Sequence, residues 1–147
     1  MKKNKLVIKL LILFLAIFTL NAKGNEDFFN QGKEKFDNKM YEESKFLMQR
    51  NIVFNPKDDQ SYLYLAKIFK KLDQKKEIEK NLDTSLLLNP KNEEALYMLM
   101  ELELDKSNFL RVVELINQFE LVCLKLCDKK KEIEKNLKNI EVNDESK

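Results

Sequence analysis

The chain has 147 residues, enough for one domain, with only two glycines, two prolines, two cysteines, no histidine and no tryptophan. Leu, Lys, Glu and Asn dominate, which points to an all-α fold of helices joined by short turns and argues against a β fold. Five of the 27 basic residues and no acid fall in residues 1–24, leaving 22 basic against 25 acidic residues beyond them. A nucleic-acid-binding domain carries a basic face, so that class is disfavoured.

The first 24 residues have three parts. Met1-Lys2-Lys3-Asn4-Lys5 is basic, Leu10 to Leu20 is an uncharged apolar run of 11 residues, and Ala22-Lys23-Gly24 offers small residues at the −3 and −1 positions. This is the form of a secretory signal peptide. The run falls short of the ~20 residues that span a bilayer. Cleavage after Gly24 is expected, with export to the periplasm and a mature chain from Asn25. The alternative is an uncleaved segment that anchors the chain in the inner membrane, with Lys9 snorkelling. No cysteine lies near the site, so a lipidated N-terminus is not indicated.

Beyond the leader, one short motif occurs twice: Asn55-Pro56-Lys57-Asp58 and Asn89-Pro90-Lys91-Asn92, with the prolines 34 residues apart. Each follows an apolar run, Ile52-Val53-Phe54 or Leu86-Leu87-Leu88. Proline lacks the amide donor and clashes with the preceding turn, so it ends a helix. Asp58 and Asn92 are expected to cap the next helix with their side chains. Tyr62, Leu65, Ala66 and Phe69 fall at i, i+3, i+4 and i+7, one helix face, and Ile78, Leu82, Ser85 and Leu86 form another.

With this period the chain resembles the tetratricopeptide repeat family. Repeat one, 25–58, supplies Phe28, Gly32, Phe36 one place late, Tyr41, Ser44, Met48 and Pro56, and departs at Gln31 and Asn51. Repeat two, 59–92, supplies Tyr62, Leu65, Ala66, Phe69, Leu82, Ser85 and Pro90, with Ile78 where a small residue is usual. Repeat three, 93–126, is degenerate: Met100, Val112 and Phe119 stand at its small positions and Leu124 replaces the proline. The resemblance implies an array of about three helix-turn-helix units over 25–127 and a C-terminal helical extension over 128–147. Gly32 and Ala66 would sit where the paired helices come closest. Stacked pairs bury a common core that no single pair could.

An apolar stripe runs Phe109, Val112, Ile116, Phe119, Cys123, Leu126, Ile133, Leu137, Ile140 in steps of three and four, broken at Lys130. A single long helix is the favoured reading, because a break near Asp128 would place Lys129, Lys130 and Lys131 in a helix's first turn, against its dipole. Its expected role is to cap the last repeat; a coiled-coil seam supporting a homodimer is the alternative. The octapeptide Lys75–Leu82 recurs at Lys130–Leu137, a separation of 55 that is not a multiple of 34 and reads as coincidence. Glu141 to Lys147 reads as a frayed polar tail. Cys123 and Cys127, at i and i+4 of a helix, are expected to be free, small apolar residues on the buried stripe.

No constellation of residues points to catalysis. There is no histidine base, no phosphate-binding glycine loop and no serine elbow, so a non-enzymatic protein without metal or cofactor is expected. The lysines from Lys67 to Lys80 interleave with Asp73, Glu77 and Glu79 and read as a solvated turn. The family resemblance implies a concave groove lined by the first helix of each repeat. Carried over, its residues are Phe29, Lys33 and Phe36; Leu63, Lys67 and Lys70; Tyr97 and Glu101. Phe29, Leu63 and Tyr97 would form an apolar track with charge beside it, as a peptide-binding groove requires. The expected role is therefore an exported interaction module or scaffold for a protein or peptide partner at the bacterial envelope. By analogy alone, an accessory role in envelope protein assembly or secretion is the alternative.

Overall fold

The structure, a computed structural model, describes residues 27–144, with side chains described through Asn139. The signal-peptide reading of residues 1–24 and the start of repeat one lie outside the described residues. Among those described the fold is all-α: α1 (Phe28–Asp37), α2 (Tyr41–Phe54), α3 (Asp59–Lys71), α4 (Lys75–Leu88), α5 (Glu93–Asp105), α6 (Phe109–Val122) and α7 (Lys129–Asp144). Helices α1 to α6 form three antiparallel pairs, and α2, α4 and α6 begin 34 residues apart, at Tyr41, Lys75 and Phe109.

The turn inside each pair is built alike. Lys39, Asp73 and Ser107, again 34 residues apart, all have positive φ, at 61°, 54° and 58°. Each ends the first helix of its pair with a wrapped-back hydrogen bond from the next amide, Met40 to Lys35, Gln74 to Phe69 and Asn108 to Glu103, at 2.9, 3.0 and 2.9 Å. This is the Schellman arrangement, which satisfies carbonyls left orphaned at a helix end. Glycine usually supplies the left-handed residue; here three L-residues do, at some steric expense.

The turns between pairs are where the proline motifs sit, and the amides of Asp58 and Asn92 donate back to the carbonyls of Asn55 and Asn89. Asn92 caps α5 as expected, accepting the Ala95 amide at 3.1 Å. Asp58 does not cap α3. Its carboxylate accepts instead from Asn51 and Ser61, each at 2.7 Å. That gives Asn51, a departure from the repeat pattern, its own polar partner.

The pairs close at small residues. Gly32 is buried in α1, and a Cβ there would meet the Met48 Cε at 2.9 Å and the Leu47 Cβ at 3.3 Å. Ser44 Oγ donates to the Gly32 carbonyl at 2.7 Å across the same contact. Ala66 does the equivalent work in α3. In the third pair Met100, Val112 and Phe119 are all fully buried, and their bulk holds α5 and α6 less intimately together than α3 and α4. The core runs continuously from Met48 through Leu65, Leu82, Leu96 and Leu115 to Ile133 and Leu137.

The long C-terminal helix is not continuous. α6 ends at Val122, Cys123 is extended (φ −65°, ψ 137°), and α7 starts at Lys129. Each of the three lysines placed against the α7 dipole has an acidic neighbour: Lys129 pairs with Glu132 at 2.8 Å, Lys130 with Glu120 at 2.9 Å, and Lys131 with Asp128 at 4.0 Å. These contacts offset the unfavourable placement that had argued for continuity. Separate packing of α6 and α7 also consumes the apolar stripe. Val112, Ile116 and Phe119 are buried from α6, and Ile133 and Leu137 from α7, in the molecule's own core. The coiled-coil seam is therefore not presented outward by the described residues. The recurring octapeptide has a shared use in both places, because Ile78 and Leu82, like Ile133 and Leu137, are its buried apolar residues. The expected fray from Glu141 does not begin there, since α7 runs on to Asp144.

Two stability outcomes follow from these contacts. Leu65→Ala should cost ~2–5 kcal/mol in chemical denaturation through the cavity it leaves; a loss under about 0.5 kcal/mol would place Leu65 outside the core. Lys39→Gly should raise stability by about 0.5–1 kcal/mol, because relief of the left-handed strain exceeds the entropic penalty of glycine.

Candidate functional site

α1, α3 and α5, the first helices of the three pairs, share one face of the molecule, and the residues expected in a groove fall on them. Their placement differs from repeat to repeat. In the first, Phe29 and Phe36 are half-buried and both meet the ring of Tyr64 edge-on, with centroids 5.5 Å apart in each case. Phe36 also packs against Tyr41 at 5.6 Å. Lys33 is exposed one turn from Phe29.

In the second repeat Leu63 is 1% exposed and belongs to the core, not to an apolar track. It lies mid-array with helices on both sides and has no open space to line. The aromatic on this face is Tyr64, one residue later. Lys67 lies three residues beyond Tyr64, so both project from one side of α3. Leu63, four residues before Lys67, fits the same side by spacing, so the sequence alone does not single out Tyr64. The Lys67 ammonium stands 4.6 Å from the centroid of the Tyr64 ring and pairs with Glu94 of α5 at 2.7 Å. Partial burial, then the charges of Asp37 and Glu94, push the Tyr64 phenol above its ordinary pKa.

The basic second repeat and the acidic third repeat thus satisfy one another. Lys70 pairs with Glu101 at 2.7 Å, beside the Lys67–Glu94 pair. Such part-exposed pairs contribute little to stability, at most about 1 kcal/mol each. They do set the relative position of α3 and α5, and they neutralise charge that an incoming ligand would otherwise meet.

At the third repeat the face is covered. Tyr97 is half-buried beneath α7, with the Lys129 ammonium 5.2 Å from its ring centroid. Burial and its acceptors Glu101 and Glu132 push its phenol far up. The hydrogen bond and charge of Lys129 hold Glu132 below the ordinary carboxylate range. Tyr97 is therefore engaged by the C-terminal helix, while Glu101 is held by Tyr97 and by Lys70 of α3.

The link that delivers α7 is held by two devices. Cys123 and Cys127 form a disulfide, with Cα atoms 5.3 Å apart. The expectation of free, buried cysteines assumed a helix, whose geometry resists such a bond. Here the chain has left the helix at Cys123, and Cys127 is exposed. The second device is Glu93, at the start of α5, whose carboxylate accepts the amides of Lys125 and Leu126 at 2.9 and 2.8 Å. Asp59, 34 residues earlier, does the same for the preceding link, accepting from Asn89 and Asn92 at 3.1 and 2.9 Å. Desolvation raises the Glu93 carboxyl, but the amides of Leu126, Lys125 and Leu124 and the Lys125 charge outweigh it and hold the pKa below the usual range.

Among the described residues no group of three or more cysteines or carboxylates could hold a metal ion, and no helix is long and apolar enough to cross a membrane. No protein-family model matches the chain, and no curated protein matches its sequence. The tetratricopeptide resemblance accordingly rests on the motifs quoted from the sequence.

The Glu93 contacts have a pH signature. A carboxyl with a depressed folded-state pKa stabilises the fold above its unfolded pKa of about 4.3, and that contribution is lost as pH falls through the folded value. Glu93→Gln should lower the melting temperature near pH 7 and shrink the loss of stability between about pH 5 and pH 3. An unchanged acid limb would show that Glu93 does not clamp the link.

Proposed function

We propose that this protein is a non-catalytic interaction module that binds an extended segment of a protein partner along α1 and α3. The observation that carries this reading is the aromatic patch of Phe29, Phe36 and Tyr64, half-buried and flanked by the exposed Lys33, on a face that α7 closes only at its far end. Part-exposed aromatics beside a cation are the composition of an interface anchor. A matching segment would present an apolar side chain to the rings and an acidic residue to Lys33. Because Lys67 and Lys70 are already paired, the third repeat contributes rigidity to this face more than recognition.

The tetratricopeptide resemblance supports the same reading, since groove binding is what that family's architecture implies. The form of residues 1–24 supports an exported protein, and so does a disulfide, which persists in oxidising compartments such as the periplasm. On this reading the protein serves as a scaffold at the envelope.

The test is an in-cell crosslink and pull-down with wild type beside a Phe29→Ser, Lys33→Glu double variant whose helicity is checked by circular dichroism. Leu63 is left intact, because its replacement would unfold the core. A partner captured by wild type and lost by the folded variant, on a bait whose mass begins at Asn25, is the expected result. Equal capture by both would sink the groove, and a bait retaining Met1 would sink cleavage of the leader.

A further inference from the structure

The 34-residue register repeats on a second surface, away from α1, α3 and α5. Val53, Leu87 and Leu121 occupy the same place in the last turn of α2, α4 and α6, and they are 76%, 81% and 86% exposed. Four residues later, in the link after each of these helices, stand Lys57, Lys91 and Lys125, all exposed and none in an ion pair among the described residues. In the third link Leu124 is 87% exposed as well. A solitary exposed leucine needs no explanation. The same position left apolar in three successive repeats makes a row along one edge of the array, with a cation beside each member.

The acids nearest the row are engaged elsewhere: the exposed Glu120 and Asp128 reach Lys130 and Lys131, and Glu93 feels the Lys125 charge without an ion pair between them. Asp58 accepts from Asn51 and Ser61, Asp59 from Asn89 and Asn92, and Glu93 from two amides of its link. What faces outward along the row is three aliphatic tips and three ammonium groups, with Phe54, 70% exposed, beside Val53. A lysine beside every apolar member is not the composition of a protein-binding core, which is depleted of Lys. Nor does it suit a second copy of the chain, which would bring like charges together across the contact. Apolar tips entering an interface, with lysines at the level of the phosphates, are the features by which peripheral proteins hold anionic lipid.

We propose that this edge rests on an anionic membrane surface, with Val53, Leu87 and Leu121 entering the interface and Lys57, Lys91 and Lys125 contacting lipid phosphates. Such docking leaves the α1–α3 face free, since it lies on different helices.

The chain has no tryptophan, so a single introduced one is a unique fluorophore. The full chain is prepared as Leu87→Trp and, separately, as Met40→Trp, which reports from the opposite end of α2. Any vesicle binding by the N-terminal segment is common to both. With vesicles of phosphatidylglycerol and phosphatidylcholine carrying brominated acyl chains, the Leu87→Trp emission should shift to the blue and be quenched. The Met40→Trp emission should do neither. Adding Lys57→Gln, Lys91→Gln and Lys125→Gln to Leu87→Trp should weaken this docking by up to about 100-fold, at roughly fivefold per lysine near an anionic surface. Equal quenching at both reporters, or in phosphatidylcholine alone, would overturn the proposal. A blue shift that grows with protein concentration in the absence of vesicles would overturn it too, in favour of a second copy.

Discussion

The seven described helices, of 10 to 16 residues, cannot persist singly in water, because nucleation costs more than so few backbone bonds return. The rest of the structure depends on how they are made to stack, and that is decided in the turns. Within each pair a left-handed residue and a wrapped-back amide bond reverse the chain in the same way three times, at Lys39, Asp73 and Ser107. Between pairs an acid at the start of one helix reaches to the link that follows its own pair, Asp59 to Asn89 and Asn92, Glu93 to the amides beyond Cys123. Each link is thereby referred back to the repeat it closes, and register passes from pair to pair without a contact that spans the whole array.

This repetition has consequences for charge. Lysines of α3 and acids of α5 lie one repeat apart at matching heights, so they pair and leave the shared face nearly neutral. The lysines of the links lie beside acids already committed to the backbone and to asparagines, so among the described residues they form no ion pair. One periodic sequence thus yields a face whose charge is spent internally and an edge whose charge is not. On the proposed reading, recognition on the face would fall to the aromatic rings of Phe29, Phe36 and Tyr64, where shape and polarisable surface matter more than net charge.

The helices and their phase were legible because the apolar residues recur at helical spacing and the prolines mark two of the links; Leu65, Ala66, Ile78 and Leu82 are buried as that phase requires. Three features were not. The left-handed turns contain no glycine, so nothing in Lys39, Asp73 or Ser107 announces them. Leu63 and Tyr64 are adjacent, and periodicity alone does not say which of two neighbours a helix between two others will expose. The break at Cys123 depends on tertiary contacts, namely Glu93 capping amides 32 and 33 residues away and Glu120 reaching Lys130. A pattern that steps by three and four reads as one helix until those partners are known.

The disulfide takes its meaning from this last point. A crosslink four residues long closes so small a loop that it removes little entropy from the unfolded chain. Its weight is local: it holds the chain out of helical geometry where α6 would otherwise run on, and so directs α7 back across α5. There α7 buries Ile133 and Leu137 and covers Tyr97, closing the open end that every stacked array must protect from solvent. The same act shortens the accessible face to α1 and α3. Capping the core and limiting the proposed recognition surface are one structural event, and both rest on the link between Val122 and Lys129.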